Sequence, residues 1–226
     1  VLDAFHARFP DARSVTWASN GGYLVADFYL AESGVEGQAW FTPIGEWRMT
    51  QLEIAYNALP LTVRVAFEAG DYAQAVRYIS EYPAELMGRQ ENYIRGYSLY
   101  RLAMYEQAIE PLKAVCGKVD ELTQNASYYL GDCYLKVGDK VQAANAFGMA
   151  STEGFDENIA EYSLFNRGCL MYELGGGVFN EDISILQDYL ERYPTSPNVP
   201  KVKELLIAAY HNSQNYDAAY AAIKEF

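Results

Sequence analysis

Histidine is nearly absent from this 226-residue chain: His6 and His211 stand far apart in the sequence. A zinc site or an imidazole acid–base pair needs convergent ligands, and two distant histidines do not supply them. Cysteine is nearly as scarce, at Cys116, Cys133 and Cys169. An odd number cannot pair fully, and Cys133 and Cys169 fall at helical positions. The three therefore read as small buried residues rather than as a disulfide framework or metal set. Cations are outnumbered, 17 Lys and Arg against 30 Asp and Glu, for a formal charge of −13. Nucleic acid and anionic lipid surfaces would repel such a chain. No run of about 18 apolar residues occurs, so no helix is expected to span a bilayer. The CxxC, HExxH, GxSxG and phosphate-loop spacings are missing too. We therefore expect no enzyme, no cofactor and no metal. The start at Val1-Leu2-Asp3, without Met or a signal-peptide pattern, predicts a mature or truncated form.

What is present is repetition. Asn125–Ala150 reads as two amphipathic helices joined by the turn Lys136-Val137-Gly138-Asp139, with small residues at Gly131 and, twelve on, at Ala143. Gly96 and Ala108 stand in the same relation. Gly168 follows, but the small residue expected on its second helix has become Asp182, after a turn lengthened by Gly175-Gly176-Gly177. Tyr210 with Ala219, and Gly70-Asp71-Tyr72 with Ala75 and a closing Pro83, complete the series. One hairpin cannot bury its own apolar face, so the units must stack. Gly or a small residue, an aromatic three on, Gly-Asp-Tyr at the turn, Ala and then Pro resemble the tetratricopeptide pattern over residues 60–226. That resemblance implies an all-α solenoid of four to five hairpins that binds proteins or peptides on its concave wall. No polar capping helix follows the last unit, so the array is expected to continue or to be covered.

Residues 1–59 change period. Leu2, Phe5 and Phe9 suit a short helix stopped at Pro10-Asp11. Alternation then predicts four strands: one with Val15 and Trp17 on one side, then Tyr23–Leu30, Glu36–Thr42 and Glu46–Glu53. Turns are expected at Ser19-Asn20-Gly21-Gly22, Glu32-Ser33-Gly34 and Pro43-Ile44-Gly45. The expectation is an α+β domain, a helix followed by a four-stranded antiparallel meander. Phe9-Pro10-Asp11-Ala12, Val15 with Trp17, Ala39-Trp40-Phe41, Ile44-Gly45-Glu46-Trp47 and Leu59-Pro60 with Val63 resemble a PepSY-like domain of the β-lactamase-inhibitor-protein-like kind. This family usually has Asp where Thr42 and Pro43 lie, and usually two such units where one is visible. The resemblance implies an exported, periplasmic or envelope-associated bacterial protein of the Bacteroidetes type, with a cytoplasmic site as the alternative. Pro60 is expected at the first helical position. The helix after it would either serve both domains without a linker or mark the seam of a fusion, engineered or recombined.

Candidate contact residues follow from the repeat register. First helices line the inner wall, and counting from Gly96, Gly131 and Gly168 places Tyr93, Tyr97, Arg101, Tyr128, Asp132, Lys136, Tyr162, Phe165, Cys169 and Glu173 there. Tyrosine, of which there are 20, offers large contact area at low entropic cost. The competing reading packs these side chains on neighbouring repeats. Tyr93 and Tyr128 stand where a carboxylate clamp would want Lys, so acidic peptide tails are not the expected ligand. A second candidate surface is the sheet, with Trp17, Trp40 and Trp47. Trp40 and Phe41 are adjacent and must point to opposite faces. The alternative function is thus an inhibitor or sensor whose sheet binds an enzyme or envelope partner. Gly175-Gly176-Gly177 reads as a lengthened turn rather than a phosphate cradle. Glu181-Asp182 reads as first-turn acids rather than an acid–base pair.

Overall fold

Phe5, on helix α1 (Leu2–Arg8), is fully buried, and the N-terminal sheet is built around its ring. The structure, a computed structural model, describes residues 1–31, 35–53, 59–82, 87–152, 154–177 and 179–225, and for residues 35 and 51–53 the backbone alone. The turn expected at Glu32-Ser33-Gly34, the closing Pro83 and Phe226 lie outside the described residues. The chain divides into two units, Val1–Ser98 and Leu99–Phe226.

In the first unit, β1 (Ala12–Asn20), β2 (Tyr23–Leu30), β3 (Val35–Phe41) and β4 (Trp47–Glu53) form an antiparallel sheet in sequence order. Alternation does the sorting. Ala26, Phe28, Ala39 and Phe41 face α1 and bury with Phe5, whose ring meets Trp17 and Phe28 edge-on at 5.3 Å each. A register shift between Arg13 and Thr16 bulges β1, and Ser14 there takes a left-handed φ of 52°. Thr42 Oγ1 accepts the Glu46 amide at 3.0 Å, filling the role an Asp would play in the third turn. Helices α2 (Leu61–Glu68) and α3 (Tyr72–Ser80) follow, with Leu59, Val63 and Ile79 packed on Ile94 of α4 (Arg89–Arg101). Pro60 is the N-cap rather than the first helical residue. Its ψ of 134° is extended, and its carbonyl receives the Val63 and Arg64 amides.

The second unit continues through α5 (Tyr105–Val115), α6 (Glu121–Lys136), α7 (Lys140–Thr152), α8 (Glu157–Glu173), α9 (Glu181–Arg192), α10 (Val199–Asn212) and α11 (Tyr216–Glu225). Five hairpins thus share one way of ending the first helix. Residues Gly70, Ala103, Gly138, Gly175 and Gln214 all adopt positive φ. The next residue's amide reaches back to Ala66, Leu99, Tyr134, Met171 and Tyr210 carbonyls respectively, at 2.8–2.9 Å. This is the paired 6→1 and 5→2 closure that satisfies orphan carbonyls at a helix end. Asp71, Asp139 and Asn215 then cap the second helix, accepting the amides of Gln74, Gln142 and Ala218. The turn residue and the cap together reverse the chain in two positions.

Packing follows the expected small–large pairing. A β-carbon on Gly131 would lie 2.8 Å from the Phe147 ring, and one on Gly168 would lie 3.0 Å from Leu186. At Gly176 a β-carbon would collide with the buried Asp182 carboxylate. The lengthened glycine turn thus makes the room that Asp182 occupies in place of alanine. Three substitutions separate these causes. Ala103→Gly and Gln214→Gly relieve left-handed strain and should each stabilise the protein by about 1 kcal/mol. Gly131→Ala should destabilise it by about 1–3 kcal/mol through overpacking against Phe147. Thermal melts of the three variants check both signs; stabilisation by Gly131→Ala would refute the close-approach account.

Candidate interaction surface

The surface is built from the first helices, and the structure sorts the expected residues into three groups. In the first unit, Tyr93 and Tyr97 stack with ring centroids 5.9 Å apart, and Tyr97 meets Phe67 at 5.7 Å and Tyr72 at 5.8 Å. Both are half-buried members of an aromatic cluster. In the second unit, Arg101, Lys136 and Tyr162 are exposed, while Tyr128 and Asp132 are half-buried on α6. Tyr128 packs edge-on against Tyr129 at 5.3 Å and lies 6.1 Å from the Phe147 ring. The Tyr100 hydroxyl donates to Asp132, and burial together with that carboxylate raises its pKa well above the usual phenol value. Burial, then Asp132 and Tyr162, push Tyr128 upward as well. Tyr100, Tyr128, Asp132 and Tyr162 therefore form one neighbourhood on α4, α6 and α8.

The third group leaves the wall. Phe165 is half-buried and turns to Tyr189 of α9, 5.9 Å away, joining the core of Leu186, Val202 and Leu206. Burial of its ring against that core decides the direction. Glu173 is committed to Lys140 of α7 at 2.9 Å, an exposed pair of little energetic weight. Cys169 is half-buried, its thiol pushed up first by burial and then by Glu173. Burial also lifts the Cys133 thiol to about 12. Among the described residues no disulfide joins Cys116, Cys133 and Cys169.

On the sheet the three tryptophans part company. Trp17 belongs to the core under α1, 5.9 Å from Phe41. Trp47 is exposed beneath the Arg8 guanidinium, 3.7 Å above its ring, and donates to Thr50 Oγ1 at 2.8 Å. Trp40 pairs with Val25 and Met49 on the face away from Phe41. The sheet thus offers Trp40, Met49 and the exposed Ile44, not a continuous tryptophan patch.

Several polar features carry no signal in residue spacing. Gln124 of α6 is buried, accepts the Asp156 amide at 2.7 Å and donates to the Ala150 and Asp156 carbonyls, tying α6 to the α7–α8 turn. Tyr189 donates to Glu161 at 2.8 Å and contacts Ser196, which itself donates to Glu161 at 2.6 Å. Tyr193 donates to Glu157 at 2.7 Å, and burial with that carboxylate pushes its phenol up to about 12. A depression of about 240 Å³ is lined by Arg167, Glu181, Ser184 and Asp188 with Leu164 and Ile185. Among the described residues no group of three His, Cys, Asp or Glu is placed to hold a metal ion. No described helix is long and apolar enough to cross a membrane.

Comparison with known proteins follows the fold. A solved structure of MamA (AMB-1) is 19% identical, covers 72% of this chain and 91% of its own, and superposes with a TM-score of 0.53. A MamA point mutant does so at 19% identity, 72% and 85% coverage, with a TM-score of 0.54. The C-terminal part of a TPR repeat-containing protein from Cytophaga hutchinsonii is 21% identical over 71% of this chain and 60% of its own, at 0.48. At such identity the MamA structures establish likeness of fold. No protein-family model and no curated protein sequence matches the chain.

Asp182 supplies a test of the electrostatics. Burial raises its pKa above the ordinary 3.8, outweighing the Ile183 and Asp182 amides that lower it. The folded state therefore binds this proton more tightly than the unfolded chain does. The associated stability is present below pH 3.8 and is lost as pH rises through the folded value. At neutral pH the ionised carboxylate is a burden, so Asp182→Asn should raise the melting temperature at pH 7. It should also flatten the decline in stability just above pH 3.8. A drop in melting temperature at pH 7 would contradict this account.

Proposed function

We propose that this protein is a non-enzymatic scaffold that binds protein or peptide partners on the wall formed by α6 and α8. The observation that carries the reading is the neighbourhood of Tyr128, Asp132 and exposed Tyr162, with Tyr100 holding the carboxylate in place. Phenol rings beside a fixed carboxylate suit a segment bearing apolar and basic side chains, in keeping with the −13 charge. The likeness of fold to MamA supports the architecture such a wall needs. The division at residue 59/60 and the PepSY-like character of residues 1–59 belong to the same proposal, supported by the helix and four-stranded meander. So does an exported location, which fractionation of the source cells checks.

A second reading rests on Ile44, exposed at the β3–β4 turn, with Met49 and Trp47 exposed along β4. Apolar side chains gathered at one edge fit an inhibitor or sensor that uses its sheet. The two readings separate by selection from a displayed peptide library on the intact protein. Selected peptides should bind Tyr162→Ala at least tenfold more weakly, about 1.4 kcal/mol, and Ile44→Asp as tightly as the parent. The reverse pattern would transfer the function to the sheet.

A further inference from the structure

One cation of the second unit sits among carboxylates without pairing with them. Arg167 of α8 lines the 240 Å³ depression together with Glu181 and Asp188 of α9. Among the described residues Arg167 takes part in no ion pair or hydrogen bond, although it is half-buried. Packing sets its place: the guanidinium lies against Gly148 of α7, where a β-carbon would stand 3.2 Å from Nε. The exposed Glu181 carboxylate likewise has no partner among the described residues. Asp188 makes only a long pair with Arg192, at 3.7 Å. Ser184 donates its hydroxyl hydrogen to the Glu181 carbonyl at 2.9 Å, so toward a ligand that oxygen can only accept. Leu164 and Ile185, both buried, supply the apolar part of the lining.

The lining therefore sorts into one planar donor, three acceptors and a hydrocarbon patch. A guanidinium holds a carboxylate through two parallel hydrogen bonds. An ammonium carries three N–H donors and no acceptor, which suits Glu181, Ser184 and Asp188. An anion alone would meet two carboxylates here, and a cation alone would meet Arg167. A molecule bearing both charges satisfies both sides. At 240 Å³ the depression is smaller than the ~300–1,000 Å³ of pockets that take drug-sized ligands, so the molecule is small.

We propose that this depression binds a free α-amino acid with an apolar side chain. Its carboxylate lies on Arg167, its ammonium among Glu181, Ser184 and Asp188, and its side chain against Leu164 and Ile185. The site shares no residue with the wall of Tyr128, Asp132 and Tyr162, so either can fail without the other.

Calorimetric titration of the intact protein with L-leucine tests the proposal. Leucine should bind saturably and more weakly as salt is added. 4-Methylpentanoate, which lacks the ammonium, and 3-methylbutylamine, which lacks the carboxylate, should each bind at least tenfold more weakly than leucine. Arg167→Gln and Glu181→Gln each remove one charge and should each weaken leucine at least tenfold, with the helices unchanged by circular dichroism. Glu181 is exposed, so its variant keeps the test decisive even if Arg167→Gln does not fold. A protein that takes up no leucine overturns the proposal. So does Glu181→Gln binding leucine like the parent. Methylpentanoate binding as tightly as leucine overturns it too, and makes the depression a plain anion site.

Discussion

The helical stack depends on how closely two helices approach at Gly131. With the Phe147 ring 2.8 Å from where a β-carbon would sit, the glycine is the hole into which the second helix sets its largest side chain. Filling that hole makes one hairpin rigid, and the same ring then continues into Leu170 of the following helix. Intra-hairpin and inter-hairpin packing are therefore one layer of side chains. This is why a solenoid's stability grows by adding neighbours rather than by enlarging a central core. Departures are absorbed locally: Leu186 replaces Phe147 against Gly168, and the buried Asp182 is accommodated by glycine at position 176.

Polar groups settle the angle between hairpins where apolar packing leaves it loose. Gln124 engages the backbone on both sides of the α7–α8 turn, so a slide of α6 would strand an amide and two carbonyls. Arg192 does similar work further on, reaching the Ser151 carbonyl 41 residues away at 3.2 Å. Long-range hydrogen bonds of this kind set register in a way that sliding hydrocarbon surfaces do not.

The elements that rest on local chemistry were legible in the residues: Lys136-Val137-Gly138-Asp139 reads as the turn between two helices, and Trp40 and Phe41 read as pointing to opposite faces of their strand. The longer glycine turn and Asp182 were both visible, though not that one makes room for the other. What the residues did not disclose depends on partners distant in the chain. Phe165 sits in the same helical register as wall residues, and only the presence of Tyr189 decides that it turns inward. Trp17 and Trp47 are indistinguishable from Trp40 in the bare sequence because strand alternation is relative, and the bulge between Arg13 and Thr16 resets it for β1. Gln124 resembles any polar helical residue until the backbone it serves, 26 and 32 residues away, is folded against it.

The two compositional oddities of the chain, its 20 tyrosines and its surplus of carboxylates, are connected. With 17 cations for 30 acids, many carboxylates near packed helices cannot be matched by Lys or Arg. Tyrosine supplies the missing donor: Tyr100 to Asp132, Tyr189 to Glu161 and Tyr193 to Glu157. The ring buries apolar area in the stack while the hydroxyl stabilises a charge at its edge, which a shorter hydroxyl could not reach. A phenol carries no charge, so it leaves the carboxylate it serves ionised; Glu157 has the Arg192 guanidinium 4.0 Å away as well. A wall built this way is aromatic and acidic together.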